Sequence, residues 1–73
     1  MLFVYTLSGD PVSEEVVRLL VRSGKPFKNI SLDGNMPANK FLEENGYTNP
    51  PHLFDGNFYV GNKSKGVLNY LKE

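Results

Sequence analysis

Apolar and polar positions follow two rhythms along this chain. Met1 to Leu7 is a nearly unbroken apolar run, as a strand buried on both faces would show. Ser8-Gly9 breaks it. From Val12 the apolar positions recur at helical spacing: Val12, Val16, Val17, Leu19 and Leu20 form one stripe, with Arg18 and Arg22 toward the other face. Asp10 is a good N-cap and Pro11 suits the first helical position, where no backbone donor is needed. Glu14 and Glu15 favour the positive end of the helix dipole. Gly24 stops this helix and Pro26 keeps it stopped. Phe27 to Leu32 reads as a second strand, with Ile30 and Leu32 on one face, and Asp33-Gly34-Asn35 as a turn.

A second helix is expected from about Pro37 to Glu44, with Ala38, Phe41 and Leu42 inward, ended by Asn45-Gly46. His52–Asp55 and Phe58–Val60 flank Gly56-Asn57 and read as a β-hairpin. Asn62 or Ser64 is expected to cap a last helix that turns Val67, Leu68, Tyr70 and Leu71 to the core. The order is β-α-β-α-β-β-α. Two parallel strands joined by a helix make a right-handed crossover, and the hairpin adds antiparallel strands to the same sheet. The pattern predicts an α/β four-stranded mixed sheet in the arrangement of a minimal thioredoxin fold. With 73 residues, one domain over 1–73 is the expectation.

Composition narrows the chemistry more than the fold. The chain has no cysteine, so disulfides and thiolate metal sites are excluded, and one histidine gives a poor basis for a metal centre. Eight basic residues balance eight acidic ones. A neutral chain without a basic run is a poor nucleic-acid binder. No run approaches the roughly 20 apolar residues of a spanning helix. Met1–Leu7 has neither the basic flank nor the cleavage pattern of a signal peptide. A cytoplasmic protein without membrane or nucleic-acid partners is expected.

Several phrases together resemble the glutaredoxins, especially the short bacterial and phage forms, over nearly the whole chain. Phe3-Val4-Tyr5-Thr6 resembles their first strand. Asp10-Pro11-Val12-Ser13 stands where Cys-Pro-Tyr-Cys would. Gly24-Lys25-Pro26-Phe27 resembles the turn into the second strand. Thr48-Asn49-Pro50-Pro51-His52-Leu53-Phe54-Asp55-Gly56 resembles Thr-Val-Pro-x-Val-Phe-Ile-Asp-Gly, and Gly61-Asn62 the Gly-Gly before the last helix. The resemblance implies a cis-proline at Pro50 or, with a one-residue shift, at Pro51. It also implies a binding groove made of Asp10, Pro11, Val12, Ser13, Asn49, Pro50, Pro51, His52, Gly61 and Asn62. In the family the residue before the cis-proline offers its backbone N–H and C=O to a bound peptide or glutathione. If Pro51 is that proline, Pro50 precedes it and brings no N–H.

Departures from the family decide the function. Disulfide exchange needs an attacking thiolate and a resolving thiol. Asp10 and Ser13 occupy both places, and neither can act on a disulfide. Leu7 lies where the family carries a lysine, which weakens the case for glutathione as a ligand. No cofactor and no metal is expected, and thiol–disulfide oxidoreductase activity is not. The expected function is a redox-inactive module that binds an unknown peptide or protein, as a monomer or weak dimer. The alternatives are residual glutathione binding and a hydrolase or transferase in which Asp10, Ser13 and His52 converge as a triad. Against the triad, Asp10 also reads simply as a helix cap, Ser13 as a small helix residue, and His52 as a half-exposed polar residue at a strand edge. Lys63-Ser64-Lys65 reads as a solvated turn, with an anionic partner as the alternative.

Overall fold

The computed structural model describes residues 1–72. Its elements are β1 (Leu2–Thr6), α1 (Pro11–Ser23), β2 (Phe27–Ser31), α2 (Met36–Glu44), β3 (His52–Asp55), β4 (Phe58–Gly61) and α3 (Ser64–Leu71). They form one mixed sheet in the order β2-β1-β3-β4, with β1 parallel to β2 and the other pairs antiparallel. This is the β-α-β-α-β-β-α arrangement expected from the sequence.

Register divides the side chains between two faces. Leu2, Val4 and Thr6 alternate with Phe3 and Tyr5, and cross-strand partners share a face. Val4 pairs with Leu53, so both lie on the face that α1 and α3 cover. There Leu2, Val4, Val16, Leu20, Leu53 and Val67 form the main core. Tyr5 pairs with His52 and Phe3 with Phe54, on the opposite face. There Leu32, Ala38, Leu42 and Phe54 form a second core, with Tyr5, Ile30, Tyr47 and Tyr59 packed on it. The rings of Tyr47 and Tyr59 stack with centroids 4.5 Å apart.

The local signals act largely as expected. Asp10 caps α1, and Gly24 closes it at φ 72°, a left-handed conformation that suits a residue without Cβ. Gly56 opens the hairpin turn at φ 59°. Phe58 and Tyr59 point to opposite faces: Phe58 is exposed and stacks on Tyr70, whereas Tyr59 is half-buried.

The differences have physical reasons. β1 is fully buried only on the α1/α3 side, because nine-residue α2 is too short to cover the other face, and Phe3 and Tyr5 stay half-buried. Val12 and Leu68 are exposed rather than inward. Phe41 faces inward as expected, its ring 6.0 Å from that of Tyr5 and 6.1 Å from that of Phe54, but it keeps an exposed edge. Val12 lies in the first turn of α1, before the helix settles on the sheet. Helix α2 starts one residue earlier than expected, where Asn35 Oδ1 accepts from the Ala38 amide. Strand β2 ends at Ser31, before Leu32. The cap position of α3 is Lys63, without a side-chain cap bond, so neither Asn62 nor Ser64 fills that role.

Candidate functional site

The site expected from the sequence begins where β1 ends. Asp10 has extended backbone angles (φ −88°, ψ 115°), which turn its side chain back over the first turn of α1. Its Oδ2 accepts from the Ser13 amide at 3.1 Å and from the Ser13 hydroxyl at 2.7 Å. The Ser13 hydroxyl accepts in turn from the Leu7 amide at 3.3 Å. Ser13 is 2% exposed, so this network stands in for water. The two residues at the family's sulfur positions are thus bonded to each other.

A second carboxylate ties the neighbouring loops together. Asp33 Oδ2 accepts from the Ser8 amide and from the Ser31 hydroxyl, each at 3.0 Å. Hydrogen bonds from Ser8, and then Ser31, hold its carboxyl below the usual aspartate range. These bonds join the β1–α1 loop to the β2–α2 turn at the C-terminal ends of the two parallel strands.

The proline loop reaches the same end of the sheet. The Pro50–Pro51 bond is cis, which decides the register left open by the sequence in favour of Pro51. Pro51 is fully buried, and the β1–β3 register carries it opposite Thr6. Gly61 pairs with Leu53, so Gly61-Asn62 also lies at this end. Pro11, Val12 and Asn49 are exposed there, while Asp10, Pro50, Gly61 and Asn62 are half-buried.

His52 departs from the expectation. It is 1% exposed rather than half-exposed, and it lies on the α2 face beside Tyr5, whereas Ser13 belongs to α1 on the other side of the sheet. Its Nδ1 lies 3.0 Å from the Tyr59 hydroxyl, and its Nε2 is buried with no hydrogen-bond partner. Burial pushes its pKa down, toward the neutral ring. Burial, with the Tyr47 hydroxyl nearby, pushes the Tyr59 phenol up. No hydrogen bond joins His52 to Ser13, and the Ser13 proton is already given to Asp10. A base must reach the proton it removes, so the Asp10, Ser13 and His52 triad is not assembled and His52 does not line the groove.

The sequence reading missed a second feature. A cleft of about 510 Å³ opens between α1 and the outer strand β2, with Thr6, Ser13, Glu14, Arg18, Asn29 and Ser31 among its walls. The signal was present: Asn29 and Ser31 are polar at the β2 positions that share the α1 face. Among the described residues, no group of His, Asp or Glu side chains is placed to hold a metal, and no helix is long and apolar enough to cross a membrane.

No protein-family model and no curated protein sequence matches this chain. Solved structures do. The glutaredoxin-like protein NrdH-redoxin of Escherichia coli, described as having a thioredoxin-like activity profile, superposes with a TM-score of 0.83 at 20% identity, over 96% of this chain and 92% of its own. A glutaredoxin from Brucella melitensis gives 0.71 at 26% identity, over 97% and 76%. A diazinon-metabolizing glutathione S-transferase of the silkworm Bombyx mori gives 0.74 at 28% identity, over 97% of this chain and 36% of its own. Superposing on these structures over nearly its whole length, the chain is a cysteine-free protein of the glutaredoxin-like, thioredoxin-type fold.

Proposed function

We propose that this protein is a redox-inactive glutaredoxin-like module that holds a peptide or protein segment at the end of the sheet carrying Asp10–Ser13, Asn49–Pro51 and Gly61-Asn62. One observation carries the reading. The Asp10–Ser13 hydrogen bond occupies the place of the thiol pair, so the loop is closed and ordered without a redox couple. The exposed Pro11, Val12 and Asn49 leave a surface at the same end for a partner to cover.

Pro50 lowers what this surface can offer. It has no N–H, so only its carbonyl is free to meet a peptide backbone. Recognition then rests on side-chain contacts and the loop backbone around Gly61 rather than on paired main-chain bonds, and the case for glutathione as a ligand weakens further. A cytoplasmic place of work belongs to the same proposal, since the fold needs no oxidising compartment to close it.

The test has two arms. Disulfide reduction with glutathione as reductant should stay at background; turnover overturns the redox-inactive reading. Peptides selected from a displayed library are then mapped by amide chemical shifts. Shifts at Val12, Asn49 and Gly61 are expected. Shifts confined to α2 or β2 refute the proposed surface.

A further inference from the structure

The cleft between α1 and β2 adjoins the surface proposed above, sharing Ser13 at its edge, but its chemistry differs. Helices α1 and α3 cover β1, β3 and β4, and Phe27 at the start of β2 packs against the same core, but Asn29 and Ser31 further along β2 are left exposed on this face. A strand position facing a helix layer normally carries an apolar residue. Here Asn29 and Ser31 take those positions, opposite Val4 and Thr6. The cleft runs from mid-β2 toward the carboxyl ends of the two parallel strands, the end at which open α/β sheets bind ligands.

Its polar groups are held in defined roles. The Thr6 hydroxyl donates to Asn29 Oδ1 at 2.6 Å. This fixes the amide so that Asn29 Nδ2 remains as a donor, and among the described residues no acceptor takes it. The Ser31 hydroxyl is engaged with Asp33. Glu14 and Arg18 stand one turn apart on α1, in the favourable order for an i, i+4 ion pair. They form none: the ion pair found among the described residues joins the Met1 ammonium to Asp55. Both charges line the cleft instead.

We propose that this cleft binds a small zwitterion of dipeptide length, its carboxylate on Arg18 and Asn29 Nδ2 and its ammonium on Glu14. Length follows from spacing. Four residues of helix rise about 6 Å. An extended dipeptide spans roughly 7 Å at ~3.3–3.6 Å per residue, whereas a single amino acid spans half of that. One carboxylate and one carboxylate-binding guanidinium, with a second donor beside it, make the charge-assisted contacts that fix orientation.

The experiment titrates glycylglycine into the protein and follows the amide signals of Ser8, Asn29 and Ser31. Saturable shifts in the millimolar range are expected, with glycine, N-acetylglycylglycine and glycylglycinamide each at least about tenfold weaker, the loss of one charged contact. Arg18→Ala and Glu14→Gln, both at exposed positions away from the core, should abolish the shifts while the rest of the spectrum is kept. Shifts that ignore the blocked termini or survive both variants overturn the proposal, as does the lack of any saturable shift. Glycine binding as tightly as glycylglycine overturns the spacing argument. The Asn49 and Gly61 signals stay unmoved in this titration, which separates its outcome from that of the peptide-surface test.

Discussion

His52 is the residue whose environment makes the sharpest quantitative claim. It is the single histidine, it is 1% exposed, and its Nε2 has no partner. Titratable groups facing it are the phenols of Tyr59 and Tyr47 and, across the β1 register, that of Tyr5. No carboxylate among the described residues pairs with it, so protonation would place an uncompensated charge in the second core. Its folded pKa is depressed by burial, so the unfolded chain binds the proton more readily. Stability is therefore complete above the unfolded value of about 6.5 and falls as pH drops below it. A ring that never takes up a proton while folded sets the upper limit of this loss, about 2 kcal/mol between pH 7 and pH 5. A domain of this size has roughly 3–5 kcal/mol in total, so even part of that loss is measurable. His52→Leu removes the titration. It also removes an unpaired buried polar atom, worth about 1–3 kcal/mol, at the cost of one hydrogen bond to a half-buried Tyr59 hydroxyl, about 1 kcal/mol net. The variant should thus be as stable as the wild type or more so at pH 7, and distinctly more stable at pH 5. Urea unfolding of both proteins at pH 5, 6 and 7 measures this. Parallel pH profiles for the two proteins would refute the argument.

Other expectations follow from the same geometry. Asp10→Ala removes the α1 cap and the acceptor of the Ser13 hydroxyl, and thermal unfolding should show a loss of about 2 kcal/mol. Because one network is broken, Asp10→Ala combined with Ser13→Ala should cost less than the sum of the single changes. The double substitution Asp10→Cys with Ser13→Cys should introduce disulfide reductase activity where the wild type has none, since a thiol at a helix N-terminus has a lowered pKa; an inactive, folded double variant would show that the surrounding loops have also lost the function. Tyr70 donates to Asp55 Oδ2 at 2.5 Å, the leading cause of that carboxyl's lowered pKa. Tyr70→Phe should raise the Asp55 pKa in a carbon-detected NMR titration. A lowered carboxylate stabilises the fold above its unfolded pKa and loses that effect as pH falls, so the variant should lose less stability on acidification.

Much of the candidate site could be read from residue order, because its signals are local. Asp10-Pro11 opens a helix through its own side chain and ring, whatever the rest of the chain does. Gly24 and Gly56 mark positions where the backbone turns left-handed, and their neighbours bound the elements they end. The alternation from Phe27 to Leu32 already put Ile30 and Leu32 on one face. Helix caps were less legible at α3, where Lys63 takes the cap position without a side-chain bond and the flanking Asn62 and Ser64 gave a false signal.

The sequence by itself determined the order of elements, the loss of thiol chemistry and the capping of α1 by Asp10, since each depends on residues a few positions apart or on composition. Only the tertiary structure decided which face of the sheet each side chain meets. Pairing Tyr5 with His52 is a contact across 47 positions, and a shift of one residue would move His52 to the other face. That register separates His52 from Ser13 and buries it among tyrosines, and the parallel β1–β2 register turns the polar Asn29 and Ser31 of β2 toward α1, where they line a cleft.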